Sequence, residues 1–264
     1  MALVPTMGAL HDGHMALVER ARGLAETVVV SIFVNPLQFD RPADFDGYPR
    51  PIDDDIERCR LHGVDAVYAP TALSMYPAGF QTHVEPGEMA LVLEGAQRPG
   101  HFRGVATVVA KLFNAVEPHA AVFGEKDAQQ LAVIRRMVAD LDMGIDIVGV
   151  PTVRESDGVA MSSRNRRLSA EHRRAAACIP RALNAVRAAR RSGVSNVLDL
   201  VAVGREVVDA EPLARFEHLD IVDAATFAPV AALPPPDTTT GDGTHLALIA
   251  AWFGDVRLID NSAL

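Results

Sequence analysis

Two histidines three residues apart, His11 and His14, sit in the stretch Val4-Pro5-Thr6-Met7-Gly8-Ala9-Leu10-His11-Asp12-Gly13-His14. Ala2 to Val4 read as a short buried strand, Pro5 and Gly8 break it, and Asp12 is placed to cap a helix that starts near His14 and runs through Ala21. A strand, a glycine-bearing turn and a helix N-terminus together offer free N–H groups and a positive dipole end to an anion. Residues three apart share one side of a helical turn, so both imidazoles would flank that end. The arrangement suits a polyphosphate whose charge grows during a displacement. It also fits a capped, solvated helix start, and the motif needs its structural context to decide.

Three more groups carry chemistry. Asn35 and Gln38 follow the strand Thr27–Val34, and ligands of open α/β sheets bind at the carboxyl ends of strands. An uncharged amide accepts from a hydroxyl and donates to a carboxylate; Asn35 before Pro36 equally reads as a turn residue. Gly124-Glu125-Lys126-Asp127 leaves the strand Ala120–Phe123. Glycine lets a backbone approach a ligand closely, Lys126 is a point charge for phosphate, and Asp127 either holds ribose hydroxyls or caps the helix that Gln129 and Gln130 open. No GxxxxGK[ST] loop occurs. In Met161-Ser162-Ser163-Arg164-Asn165, two hydroxyls and a guanidinium form a phosphate clamp, since arginine makes charge-assisted bidentate contacts, or a Ser/Asn cap with a surface arginine. Arg98, His101 and Arg103 either meet an acid or are solvated.

The elements that must position these residues follow from hydropathy. Thr27–Val34 is β-branched and apolar on both faces, the pattern of an interior strand of a parallel sheet covered on both sides. With the first strand and helix it makes a βαβ unit, almost always right-handed. A polar loop Arg41–Pro51, a helix Ile52–His62 stopped by Gly63, and a strand Val64–Pro70 come next. Thr71–Gly104 is long and irregular, an insertion of the kind that is more often functional than idle. A strongly apolar helix Val105–Val116, the strand Ala120–Phe123, a helix to about Leu141 and a strand Ile145–Val150 complete the alternation. From about Arg166 the texture changes to Ala/Arg-rich helices, Ser169–Arg191 and Asn196–Ala210, and strands His218–Val222, His245–Phe253 and Val256–Asp260, a small α+β domain without a catalytic constellation.

The chain has 264 residues, net charge −9 and 49% apolar residues, enough for one large domain or two modest ones. No apolar run approaches the roughly 20 residues of a membrane span, and no secretory signal opens the chain. Cys59 and Cys178 have no metal or redox spacing, so buried thiols and a cytoplasmic setting are expected. An acidic chain is a poor binder of nucleic acid; Arg173, Arg174, Arg187, Arg190 and Arg191 read as solvated faces. Pro234–Gly243 reads as a surface loop.

Taken in order and spacing, Pro5-Thr6-Met7-Gly8…His11…Gly13-His14, Asn35-Pro36…Gln38-Phe39, Gly124-Glu125-Lys126-Asp127…Gln130 and Met161-Ser162-Ser163-Arg164-Asn165 closely resemble the pantothenate synthetase family. The likeness extends through Arg98-Pro99-Gly100-His101-Phe102-Arg103-Gly104 to Arg257-Leu258-Ile259-Asp260-Asn261 and is weaker between about Arg166 and Gly243. The first and last motifs look like the HIGH and KMSKS signatures of the wider nucleotidyltransferase superfamily. The resemblance implies an α/β fold, with a Rossmann-like parallel-sheet N-terminal domain (1–165) and a smaller α+β C-terminal domain (166–264). It implies a homodimer that uses ATP and Mg²⁺ to condense (R)-pantoate with β-alanine through a pantoyl adenylate, releasing pyrophosphate and AMP.

By the same resemblance, Met7, Gly8, Ala9, Leu10, His11, Asp12, Gly13 and His14 wrap ATP, with His11 and His14 on its phosphates and His14 as proton donor. Gly124, Glu125, Lys126 and Asp127 contact adenosine and phosphate, Lys126 facing the charge that develops at the α-phosphate. Val153 touches adenine; Met161, Ser162, Ser163 and Arg164 close over the triphosphate; Gln38 and Gln130 bind pantoate. No direct metal ligand is implied. Family members usually carry a strand and a helix before the first motif, whereas here Met1 abuts it, which bears on stability or on the start assignment rather than on chemistry. Two rivals are another adenylylating or cytidylylating member of the HIGH superfamily and a truncated, non-catalytic paralogue. The amide pair Gln38 and Gln130 argues against the first; the presence of every catalytic position argues against the second.

Overall fold

A computed structural model describes residues 1–234 and 243–264; the proline-rich loop expected at Pro234–Gly243 lies, from 235 to 242, outside the described residues. The chain forms two compact units, Met1–Val153 and Arg154–Leu264.

The first unit is built on five strands, β1 (Ala2–Thr6), β2 (Val28–Ile32), β3 (Ala66–Tyr68), β4 (Ala120–Gly124) and β5 (Asp146–Val150). They lie in the order β3-β2-β1-β4-β5, and every pairing is parallel. Side chains alternate between two cores because the strand period is two. Ala2, Val4, Val28, Val30, Ile32, Ala120 and Val122 face one core with residues of helix α1 (Asp12–Arg22). Leu3, Val29, Ala121 and Phe123 face the other, with residues that belong to α6 (His101–Val116) and α7 (Ala128–Asp140) in the chain order that also contains α2 (Pro42–Asp46), α3 (Ile52–Leu61), α4 (Ala72–Met75) and α5 (Glu94–Gln97). Both faces are therefore covered, as the unbroken apolar strands require.

The strand order reverses between β1 and β4, the point at which open α/β sheets bind ligands. The β1–β4 ladder has only two pairs, Ala2 with Ala120 and Leu3 with Ala121, against five each for β1–β2 and β4–β5. The carboxyl ends of β1 and β4 thus run unladdered beside each other.

Several elements depart from the sequence expectation. Helix α1 starts at Asp12, with His11 rather than Asp12 at the N-cap. Helix α6 starts at His101, because Gly100 at φ +82° turns the chain into it. The loop Arg41–Pro51 contains α2, and Thr71–Gly104 contains α4, a 3₁₀ turn Glu88–Ala90 and α5. This insertion is tied down by buried Gln129 of α7, whose Nε2 donates to the carbonyls of Met89 and Val92 (both 2.8 Å) while its Oε1 accepts from Glu94 N–H at 3.1 Å.

The second unit has an antiparallel sheet β6 (Arg215–Asp223), β7 (His245–Phe253) and β8 (Val256–Ala263) in that order, with α8 (Ala170–Ala175), α9 (Cys178–Arg191) and α10 (Val197–Asp209). The single helix expected over Ser169–Arg191 is two. Pro180 has no N–H to give the carbonyl of Ala176, four residues back, and the break falls there. Leu183, Val186, Leu200, Leu219, Ile249 and Phe253 belong to its core. Residues 154–165, grouped above with the first domain, make their contacts inside this second unit. Arg154 holds Asp260 at 2.6 and 3.0 Å, Arg173 holds Glu155 and Asp157 at 2.7 Å, and Asn165 donates to Glu155 at 2.9 Å.

Cys59 and Cys178 are buried free thiols, and burial pushes each pKa up to about 11. No helix among the described residues is long and apolar enough to cross a membrane.

Candidate active site

The turn after β1 is held by a carboxylate from another helix. Gly8 and Ala9 both adopt positive φ, +79° and +52°, a conformation that costs a non-glycine residue about 1–2 kcal/mol. Asp55, in the first turn of α3 and 3% exposed, answers that strain. Its Oδ2 accepts from Ala9 N–H and its Oδ1 from Leu10 N–H, each at 2.7 Å. A Cβ at Gly8 would sit 2.8 Å from Asp55 Oδ2 and 3.0 Å from Ile32 Cγ2, so only glycine fits. Asp12 is exposed and pairs with Arg58 of α3 at 2.8 Å. The sequence reading did not single out Asp55.

The rings of His11 and His14 lie against each other, centroids 4.0 Å apart and planes tilted by 42°. His14 Nδ1 accepts the backbone N–H of His11 at 3.2 Å. With Nδ1 occupied as an acceptor, neutral His14 carries its proton on Nε2 and presents a donor there. The backbone N–H groups of Asp12 and Gly13, in the first turn of α1, have no partner among the described residues.

At the exit of β2, the side chain of Asn35 is fully engaged within the protein. Its Oδ1 accepts from Tyr76 Oη at 2.7 Å and Leu37 N–H at 3.3 Å; its Nδ2 donates to Gln38 Oε1 at 2.9 Å and to the carbonyl of Gly104 at 3.1 Å. Because Leu37 N–H is a donor and Gly104 C=O an acceptor, the orientation of Asn35 is fixed, and so is that of Gln38. Its Oε1 is taken and its Nε2 is the outward donor, 3.3 Å from Met7 Sδ. Asn35 thus holds Gln38, with all four of its hydrogen-bonding positions filled within the protein.

Arg98 and His101 are turned onto the same residue, not into solvent. Arg98 Nη2 and His101 Nδ1 donate to the carbonyl of Gln38 at 3.0 and 2.8 Å, and the acid Arg98 meets is Asp40, at 2.9 Å. Burial opposes the Asp40 charge, but the Arg98 guanidinium outweighs it and holds the carboxyl below its ordinary value. Burial, reinforced by Arg98, lowers His101 to about 4, so the ring stays neutral. Arg103 pairs with Glu85 at 3.1 Å on the surface.

At the exit of β4, Gly124 leads into a 3₁₀ turn Glu125–Asp127. Lys126 is mostly covered, 18% exposed, with Nζ 3.7 Å from Asp127 Oδ1. Asp127 occupies the N-cap of α7 without a side-chain cap bond, leaving the carboxylate half exposed. Glu125 folds over Gly149 of β5, where a Cβ would come 2.7 Å from its Oε1. Gln130 is half-buried, and its amide has no hydrogen-bond partner among the described residues. Val153 ends this unit, three residues past β5. Since β2, β1 and β4 are adjacent and parallel, their three exits lie along one edge of the sheet.

Within the second unit, Ser162 Oγ accepts from Arg164 N–H at 3.3 Å and caps a 3₁₀ turn Ser163–Arg167. Met161 precedes it, Ser163 is buried, and Asn165 anchors the turn to the carbonyl of Ala160 at 3.1 Å.

Residues 1–263 match the family model described as pantoate-beta-alanine ligase. A pantothenate synthetase of Acidobacterium capsulatum is 49% identical over 264 residues, covering 100% of this chain and 86% of that protein. The crystal structure of pantothenate synthetase from Thermus thermophilus is 47% identical, with TM-score 0.92 over 99% of this chain and 92% of that one. A pantoate-beta-alanine ligase from Francisella tularensis, described in complex with beta-gamma ATP and beta-alanine, is 33% identical, with TM-score 0.79 over 99% and 88%. With the fold, the motifs and full-length identity in agreement, the chain belongs to the pantoate–β-alanine ligase family and is an enzyme that forms pantothenate.

Proposed function

We propose that this ligation runs on ATP through a pantoyl adenylate. A carboxylate oxygen of pantoate attacks the α-phosphorus, the bond to the bridging oxygen breaks and pyrophosphate leaves. The amine of β-alanine then attacks the acyl carbon, loses its proton as the amide forms, and expels AMP, which keeps the oxygen that came from pantoate. The nucleotide complex of the Francisella tularensis relative supports ATP as the co-substrate.

The observation that carries the reading is the donor set along one sheet edge. His14 offers a fixed Nε2–H, and the open Asp12 and Gly13 amides add the α1 dipole; His11 and His14 take the β- and γ-phosphates, with His14 the proton donor to the leaving pyrophosphate. Lys126 meets the charge developing at the α-phosphate, and Asp127 holds the ribose. Gly124, Glu125 and Val153 line the adenosine. Gln38 offers an N–H donor and Gln130 an uncommitted amide to the oxygens of pantoate. Met161, Ser162, Ser163 and Arg164 keep the phosphate role the resemblance implies. Catalysis then rests on positioning, for which effective molarity supplies on the order of 7–11 kcal/mol, and on charge stabilisation at about 3 kcal/mol per preorganised donor.

Mg²⁺ in this reading arrives as the counter-ion of the ATP phosphates. Among the described residues no three His, Cys, Asp or Glu side chains cluster to hold an ion, so the donor set does not fit a protein-built metal site. A homodimer, a cytoplasmic setting, and the absence of nucleic-acid or membrane partners complete the proposal.

Pantoate labelled with oxygen-18 in its carboxylate tests the intermediate. The proposal expects one labelled oxygen in the AMP for each pantothenate made, read by mass spectrometry. Unlabelled AMP alongside labelled pantothenate would exclude the adenylate.

A further inference from the structure

Two consecutive N–H groups on a positive-φ turn form a concavity of the kind that cradles phosphate. In this chain the turn is Gly8-Ala9-Leu10, and its cradle is already filled. Both oxygens of Asp55 sit in it, each 2.7 Å from one amide. The carboxylate comes from α3, 46 and 45 residues away in sequence, and is buried. Its neighbours Asp53 and Asp54 are exposed, so of the three successive aspartates only this one faces inward. The absence of a Cβ at Gly8 is what lets the carboxylate reach. The cradle and the first turn of α1 are successive along the chain, yet only the second has open amides, those of Asp12 and Gly13.

We propose that Asp55 is a positioning residue that plugs the first anion cradle of the β1–α1 turn, so that the triphosphate is received by His11, His14 and the start of α1 rather than by the amides of Ala9 and Leu10. The inference deepens the proposed function and rests on its placing of the phosphates at His11 and His14. Asp55 acts in two ways. It holds Ala9 in its strained conformation, which sets where the His11 ring begins. It also keeps a carboxylate behind the turn, which discourages a phosphate from registering three residues too early. Asp55 touches neither substrate; its effect passes through the backbone.

The first test uses the unaltered full-length protein. Amide hydrogen exchange at Ala9 and Leu10 is followed by NMR without nucleotide and with a non-hydrolysable ATP analogue. The plug predicts that both amides are slow before nucleotide is added and change less than about threefold after it. Amides that exchange freely in the ligand-free protein and become protected only with nucleotide would mean that they bind phosphate, and the plug would be refuted. The second test measures Asp55→Asn, whose amide matches the shape but faces one N–H with a donor. It predicts a nucleotide KM raised about tenfold or more and a pantoate KM within about twofold, in a variant that still unfolds cooperatively, compared with Arg60→Ala as a control on the exposed side of α3. Equal losses for both substrates, or none, would reduce Asp55 to a packing residue. His14→Ala, assayed in parallel, separates the two levels: if it leaves nucleotide handling intact, the placing of the phosphates fails, whereas a disabled His14→Ala beside a normal Asp55→Asn defeats the plug alone.

Discussion

The amide of Gln38 has one orientation, and it is set by backbone groups it does not touch. Leu37 N–H and Gly104 C=O fix Asn35, and Asn35 fixes Gln38. An Asn35→Asp substitution keeps the shape but replaces the donor to Gln38 Oε1 with an acceptor. Gln38 then turns over, so that under the proposed role it would present oxygen in place of N–H to pantoate, and a buried polar group is left unpaired at about 1–3 kcal/mol. The expected result is a pantoate KM raised on the order of tenfold or more with nucleotide KM nearly unchanged, read from steady-state rates against each substrate. Equal KM values for mutant and wild type would mean that the amide is free to choose its orientation. The same scale shows where sequence reading stops. Asn35 and Gln38 are visible as amides after an apolar strand, but which of them faces a ligand depends on Tyr76 and Gly104, 41 and 69 residues from Asn35. Asp55 is one of three consecutive aspartates at a helix start, and only the phase of α3 against the sheet buries it.

At the scale of elements, α6 must come close to the turn that carries Gln38. Gly104 permits this: a Cβ there would strike the carbonyl oxygen of Leu37, a backbone atom that cannot move aside alone. Gly104→Ala is therefore expected to cost about 1–3 kcal/mol of stability, as overpacking usually does. It should also displace the 3₁₀ turn Pro36–Gln38. A lowered thermal midpoint together with a raised pantoate KM is expected; an unchanged midpoint would mean that the two elements have slack between them. The strands β1, β2, β4 and β5 were legible because runs such as Val28-Val29-Val30 are apolar on both faces, which only a doubly covered parallel sheet accommodates. The interior of Thr71–Gly104 was not. Its short helices have no periodic stripe of their own and are held from outside by Gln129, a residue whose burial no local pattern announces.

For the whole molecule, acid acts first through His101. Its folded pKa of about 4 lies below the unfolded value near 6.5. Above pH 6.5 the ring is neutral in both states and adds no pH dependence. Between 6.5 and 4 the unfolded chain binds a proton that the folded protein refuses, so stability falls as pH falls, by about 1.4 kcal/mol per unit and up to about 3 kcal/mol in all. Carboxyls follow at lower pH, Asp40 and Asp157 among them. Burial works against the Asp40 charge and Arg98 overcomes it; Asp157 is kept low chiefly by its hydrogen bonds from Arg173. Both are held below their ordinary values, so what they contribute is present above about pH 4 and is lost only as pH falls further. Replacing His101 with Gln, which can still donate to the carbonyl of Gln38, should flatten stability between pH 6.5 and 4 in chemical denaturation. A wild-type curve that is already flat in that window would contradict the buried neutral ring.

In the proposed mechanism, phosphate is handled where β1 and β4 part, by His14 and Lys126. Pantoate-dependent exchange of labelled pyrophosphate into ATP, measured without β-alanine, isolates the first half-reaction. Robust exchange is expected in the unaltered enzyme, with a loss of about a hundredfold or more in both His14→Ala and Lys126→Ala while each variant stays folded. Exchange in either variant at close to the wild-type rate would contradict it.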